Sequence, residues 1–284
     1  MLKVLKSGFF TTIQDKGRVG FASVGVPISG AMDQFSADLA NRILNNSANC
    51  AVLEITLGAC KFKFTKTTTI CISGGDFSPT INNIAISLNK RILIHPNDIL
   101  SFGKINYGIR CYLAVKDGFL SEKKLNSRSF YPNITKDFLL RKGDCIPYKE
   151  IENVIETSKA SIKINQNHFT NLFIECYKGP EFDLLSDHQQ KQILDTFFTV
   201  SKDNSRMGYK LNEVLTNNLA QILTSSVLPG TVQLTPSGTL IVLMRDCQVT
   251  GGYPRVLQLT ENAINQLAQK TTSAAFQFLL IGMS

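Results

Sequence analysis

At 284 residues and 43% hydrophobic, the chain can bury one large core or two of ordinary size, which excludes a disordered polymer. Its formal charge of +8 arises from 30 Lys and Arg against 22 Asp and Glu, but only KKLNSR and NKR form basic clusters. That scatter argues against a nucleic-acid face, which needs concentrated positive charge. The N-terminal MLKVLKSGFFTTIQ lacks the apolar core of a signal peptide and no run of 18 apolar residues follows, so a soluble, cytoplasmic protein without a membrane partner is expected.

Frequent Ile, Thr, Phe and Val with 19 glycines predict a mainly β protein. A short strand, LKVLKSG, opens the chain and stops at Gly8. The loop TTIQDKGRVGFASVGVPISGAMD follows, long and rich in Gly, Ser, Thr, Gln and Arg, with Asp15, Arg18, Ser29 and Asp33 as its candidate polar contacts. SGAMDQFSADLANRILNN predicts a helix, with Phe35, Leu39, Ile43 and Leu44 on one face and Asp33 or Ser29 at its start. Short β runs succeed it: AVLEITLG, KFKFTKTTTICISGG, IAISLNKRILIHPND, ILSFG and GIRCYLAVKDG. A polar stretch marks a linker or crossover near 150–170. SDHQQKQILDTFFTV then reads as a helix with Ile193, Leu194, Phe197 and Phe198 inward, and LPGTVQLTPSGTLIVLM returns to β. Both halves run turn, strand, turn, strand, Gly-Gly loop, amphipathic segment and final strand. This order predicts two similar β units in tandem, over 1–160 and 161–284.

The densest chemistry lies in RDCQVTGGYPRV, directly after the buried-strand pattern GTLIVLM. Polar groups leaving a rigid strand can be held in fixed geometry, and Gly251 and Gly252 can bring backbone amides to a ligand; a hairpin with a solvated rim is the plain alternative. Arg206, in NSRMGYKL, offers a planar fork for a carboxylate or phosphate, or else serves as an ion-pair partner. Gln233 is an amide inside an apolar strand, which reads as a core network residue or a substrate reader. Asp33 serves equally well as a helix N-terminal acid.

The seven cysteines, Cys50, Cys60, Cys71, Cys111, Cys145, Cys176 and Cys247, lie mostly in apolar runs without a CxxC pair, the pattern of reduced core thiols. No phosphate loop or GxSxG elbow is present, and His95, His168 and His188 lie far apart, so neither a paired-histidine hydrolase nor a metal site is expected.

The segments TTIQDKGRVGFASVGVPISGAMDQFSADLANRIL, AVLEITLGACKFKF, GIRCYLAVKDGF, LNSRSFYPN, SRMGYKL and QVTGGYPRV occur in the order seen in the biotin-dependent carboxyltransferase, or allophanate hydrolase subunit 2, family. The chain resembles that family over nearly its whole length. Members include one of the subunits of 5-oxoprolinase, the Kip inhibitor antagonist and part of urea carboxylase. The resemblance implies two tandem cyclophilin-like β-barrel units. It implies a small amide or lactam substrate and, in the 5-oxoprolinase case, ATP used by the complex to open 5-oxoproline to L-glutamate, with no covalently bound cofactor. Partners implied are a subunit 1-type protein, equivalent to a second 5-oxoprolinase subunit, and a third 5-oxoprolinase subunit. The alternatives are a regulatory binding protein of the Kip inhibitor antagonist type, or a carboxyltransferase acting on urea or a related amide with carboxybiotin on a separate partner. Carried across residue by residue, the family pattern marks Arg206, Gln233, Asp246 and Gln248 as catalytic. Thr250, Gly251, Gly252 and Tyr253 fall to substrate binding, and the loop candidates Ser29 and Asp33 are assigned to it as well. The chain departs from it at Cys247, where the family has arginine, at Val249, where it has threonine, and at Ser226, where it has an acid.

Overall fold

The structure, a computed structural model, describes residues 1–151 and 162–282. Much of the expected linker at 150–170 therefore lies outside the described residues. The chain is mainly β with four short α-helices among the described residues, and it divides into two compact units: Met1–Arg18 with Ser29–Asn165, and Val19–Ile28 with Gln166–Ser284.

The first unit is built from two sheets. One has six strands, in the order Cys145–Ile146, Leu2–Ser7, Cys60–Phe64, Ile99–Ser101, Thr80–Ile81, Ile84–Ala85. The other has five: Phe10–Gln14, Val52–Thr56, Tyr107–Val115, Thr68–Asp76, Ile92–Ile94. Period-two alternation sorts the second sheet's side chains. Leu53, Ile55, Ile70, Ile72, Cys111 and Leu113 join Val4, Phe62, Phe64 and Leu100 in the core, while Val52, Cys71, Tyr112 and Ala114 point to the opposite face. That opposite face is covered by α1 (Gln34–Ile43).

The sequence places α1 correctly, and of its predicted apolar face Leu44 and Ile43 pack on the sheet while Phe35 does not. Phe35 is exposed, and the buried residues are Ser36, Ala37, Ala40 and Asn41, followed by Leu44. Small side chains let the helix lie close on the sheet: a Cβ added at Gly74 would stand 3.4 Å from the Ser36 Cβ and 2.7 Å from the Arg110 carbonyl. Asp33 caps the helix through the Ser36 amide, as expected of an acid at that position.

The second unit closes into a seven-stranded barrel, in the order Phe173–Lys178, Arg255–Leu259, Thr231–Leu234, Thr239–Leu243, Gly208–Val214, Phe198–Asn204, Ala275–Leu280. Closure leaves no free sheet edge, and the last strand pairs in parallel with the first. Here α2 (Asn167–Thr170) precedes the barrel, α3 (Asp187–Asp195) lies between its first two strands in sequence, and α4 (Glu261–Leu267) precedes its last. Helix α3 opens with a full capping box between Ser186 and Gln189. It ends at Asp195, so Phe197 and Phe198 do not line it. Phe198 begins a strand and packs at 5.4 Å on Phe278, where β-branched and aromatic partners outweigh a continued helical period. The repeated order read from the two halves already breaks at the Gly-Gly pair, which in the first unit lies inside the strand Thr68–Asp76 and not in a loop. The amphipathic segment before the final strand is helical α4 in the second unit, whereas the first unit runs from Ile99–Ser101 to Tyr107–Val115 without a helix.

Candidate functional site

The polar loop grows out of the barrel strand Thr239–Leu243. Beyond it, the Met244 amide donates to the Met207 carbonyl and the Asp246 amide to the Arg206 carbonyl, both at 2.9 Å, so the turn 205–207 and the loop 244–247 are zipped together. The side chains repeat the pairing. Arg206 Nε and Nη2 donate to Asp246 Oδ2 and Oδ1 at 2.8 and 3.0 Å, a bidentate pair with both side chains under a tenth exposed. Of the two sequence readings of Arg206, the ion pair is the one the geometry displays: two of its donors are committed to Asp246.

Neighbouring residues fasten this loop from behind. Arg245 turns to α4, donating to Glu261 at 2.5 and 3.1 Å and to Asn265 at 3.0 Å. Cys247 inserts beneath Val227 and Leu243, and burial pushes its thiol up to about 12, so it is a neutral packing group. Gln248 and Thr250 stand exposed on the rim.

Gln233 lies 2% exposed on Thr231–Leu234. Its Nε2 donates a long 3.4 Å bond to the Tyr253 carbonyl, and its Oε1 accepts none among the described residues. Gly251 lies directly against this amide: a Cβ there would stand 2.5 Å from Nε2, so no other residue fits without moving Gln233. Over the Gly-Gly loop runs the segment Ile222–Val227. Ser225 and Ser226 pair with Gly251 and Thr250, the Ile222 amide donates to the Gly252 carbonyl at 3.0 Å, and the Val227 amide donates to the Val249 carbonyl at 3.1 Å. Gln233, Gly251, Gly252 and Tyr253 are thus brought together, with the Arg206–Asp246 pair at the other end of the same loop.

The family model for "Carboxyltransferase domain, subdomain A and B" matches residues 24–280. The chain belongs to this family. It is 30% identical over 275 residues to a 5-oxoprolinase subunit of Escherichia coli K12, covering 95% of this chain and 87% of that protein. To the urea amidolyase of Lachancea kluyveri it is 42% identical over 130 residues, 45% of this chain but 7% of that one. The crystal structure of the K. lactis urea amidolyase superposes with a TM-score of 0.86 at 26% identity, covering 99% of this chain and 19% of the larger one.

Two of the expected substrate-binding residues, Ser29 and Asp33, belong to the first unit. Ser29 is fully buried with φ of 58°, and its Oγ has no hydrogen bond among the described residues. Asp33 has its carboxylate engaged by the Ser36 amide at 3.0 Å and hydroxyl at 2.6 Å. Around it lies a network that sequence reasoning missed. Tyr112 accepts from the Asp33 amide at 2.8 Å and donates to Glu54 at 2.9 Å; Glu54 also accepts from the Met32 amide at 2.7 Å and faces Arg110 at 3.9 Å. Burial pushes the Tyr112 phenol well up, so it stays a neutral donor. The only signal in the sequence was a lone acid in the strand AVLEITLG.

The loop candidates Asp15 and Arg18 hold the first unit together. Asp15 accepts from the Ser127 and Ser129 hydroxyls at 2.6 and 2.7 Å and from the Arg128 amide at 2.6 Å, while Arg18 donates to the Ser129 carbonyl. Among the described residues no three His, Cys, Asp or Glu side chains gather as a metal site, and no helix is long and apolar enough to cross a membrane.

Proposed function

We propose that this chain is one component of an ATP-dependent 5-oxoprolinase complex that opens 5-oxoproline to L-glutamate. The observation that carries the reading is the alignment with a 5-oxoprolinase subunit across 95% of this chain and 87% of the relative. The geometry supports it. A lactam presents its N–H and C=O on one edge, and a carboxamide is the complementary pair: Gln233 Oε1 would accept from the lactam nitrogen while Nε2 donates to its oxygen. Gly251 keeps that amide in place, and amides of the Gly-Gly loop are suited to oxyanion charge as the ring opens. Gln248 and Thr250 supply the exposed polar rim. ATP enters at the level of the complex, with a subunit 1-type partner and a third subunit.

The test is reconstitution with the partner subunits and measurement of glutamate formed from 5-oxoproline and ATP. ATP-dependent glutamate is expected, with Gln233→Leu lowering kcat/KM for 5-oxoproline by about a hundredfold while the complex still assembles. A folded, assembled complex that makes none overturns the reading.

A second reading, a regulatory binding protein of the Kip inhibitor antagonist type, draws on Cys247, which puts a neutral buried thiol where the family has a cation. It requires that Gln248→Ala and Arg206→Ala alter partner affinity and no turnover. The 42% identity to a urea amidolyase over 130 residues favours a carboxyltransferase role with carboxybiotin as a third possibility. It requires carboxyl transfer from a biotinylated partner in the same reconstitution.

A further inference from the structure

The motif that carries the Gly-Gly loop continues into Arg255, a residue the lactam-binding geometry leaves without a part. Its position is specific. Arg255 is the register partner of Gln233 across the barrel ladder, at an irregularity between Val232 and Gln233. Its guanidinium spans two elements. Nε and Nη2 donate to Glu181 at 2.9 and 2.7 Å, and Nη1 donates to the Ser226 carbonyl at 3.2 Å. Glu181 also accepts from the Arg255 amide at 2.8 Å, and its own amide donates to the Arg255 carbonyl at 3.1 Å. Gly179 permits this wrap, since any Cβ there would collide with the Arg255 carbonyl. The clamp is half sheltered, and the hydrogen bonds from Arg255 hold the Glu181 carboxyl below its usual range.

Ser226 belongs to the segment that overlies the Gly-Gly loop. Beyond its pairing with residues 249–252, this segment is anchored at its end by Val227, which packs with Leu243 and Cys247, whereas Leu223 is fully exposed. From Val214 to Met244 the sequence carries no charged side chain, so the charged tether between the segment and the barrel comes from Arg255.

We infer that Arg255, braced by Glu181, is a positioning residue that pins Ile222–Val227 over the Gly-Gly loop and so fixes Gly251 against the Gln233 amide. The chain of contacts runs from Glu181 to Arg255, to the Ser226 carbonyl, through the Ser225–Gly251 pairing to Gln233. Only its catalytic consequence rests on the 5-oxoprolinase reading. With the tether cut, the segment frays and Gln233 loses its fixed orientation, which weakens substrate binding more than the chemical step.

Two conservative variants test this. Arg255→Lys keeps a positive charge near Glu181 but has one nitrogen and cannot reach both partners; Glu181→Gln keeps the shape and removes the charge. Hydrogen exchange of the purified chain is read for peptides covering 220–228 and 249–253, against the barrel strands Thr239–Leu243 and Ala275–Leu280. Exchange about tenfold faster in the first two regions, with the barrel strands unchanged, is the expected result. In the reconstituted complex, KM for 5-oxoproline rises about tenfold with kcat within about twofold. Unchanged exchange in both variants overturns the proposal, and so does exchange that quickens equally throughout the barrel. If the complex forms no glutamate, the 5-oxoprolinase reading fails while the exchange measurement still decides the tether.

Discussion

Asp246 and Arg206 show how one residue's meaning depends on its neighbour. In sequence each is a candidate for ligand contact; in the structure they grip each other, both nearly buried, at 2.8 and 3.0 Å. Breaking such a pair is costly because it strands a charge, whereas removing both charges is far less so. Asp246→Leu is therefore expected to lower stability by about 3 kcal/mol. Arg206→Met with Asp246→Leu recovers at least about half of that loss, read from urea melts of the four members of the cycle. Additive losses in the double variant would show that the two residues act apart, as independent ligand contacts would. Cysteine chemistry is similarly local. Cys145 is exposed while Cys247 is buried with its thiol pushed up to about 12, so brief alkylation of the native protein at pH 8 labels Cys145 and spares Cys247.

Whole elements were legible where local chemistry and period agree. Asp33 before a helical pattern marked the start of α1, and the apolar spacing in SDHQQKQILD marked α3. What could not be read in full was which side of an element is buried. The large residues of α1 put Phe35 on one face with Ile43 and Leu44, yet close approach to a sheet selects Ala37 and Ala40 in its place, and nothing within the helix announces what it packs on. Tertiary pairing hid the networks for the same reason. Glu54, Tyr112 and Asp33 meet only because three separated segments come together, and Glu181 meets Arg255 across 74 positions of sequence. The Gly-Gly loop was visible by composition; the segment covering it, uncharged and without period, was not. The packing of α1 yields its own test. Ala40 is fully buried in the α1 face, so Ala40→Leu is expected to cost about 2 kcal/mol by overpacking. Phe35→Ala, on the exposed side, costs less; equal losses in thermal melts would mean that the small face is not the packed one.

At the scale of the molecule, the distribution of thiols sets a limit on the conditions in which both units persist. Cys60, Cys71 and Cys111 lie in the first unit and Cys176 and Cys247 in the second, all buried and all without a disulfide. Burial pushes Cys60, Cys71, Cys176 and Cys247 up to about 12 from 9.0, and Cys111 well above 9.0. The sign follows from proton counting. Between pH 9 and 12 the unfolded chain has released these protons while the folded chain retains them, so the unfolded state is favoured as pH rises. Below pH 9 both states are protonated and the thiols make no pH-dependent contribution. At pH 10 each thiol gives up on the order of 1 kcal/mol, and the five together become a sizeable part of a whole folding free energy, about 5–15 kcal/mol. The melting temperature is therefore expected to be level from pH 7 to 8.5 and to fall steeply between pH 9 and 10.5. Thiolate absorbance near 240 nm should rise together with loss of the β circular dichroism signal. Thiolate absorbance from these five residues while the fold persists would mean that their burial is incomplete, and a level melting temperature through pH 10.5 would mean that burial does not hold their protons on.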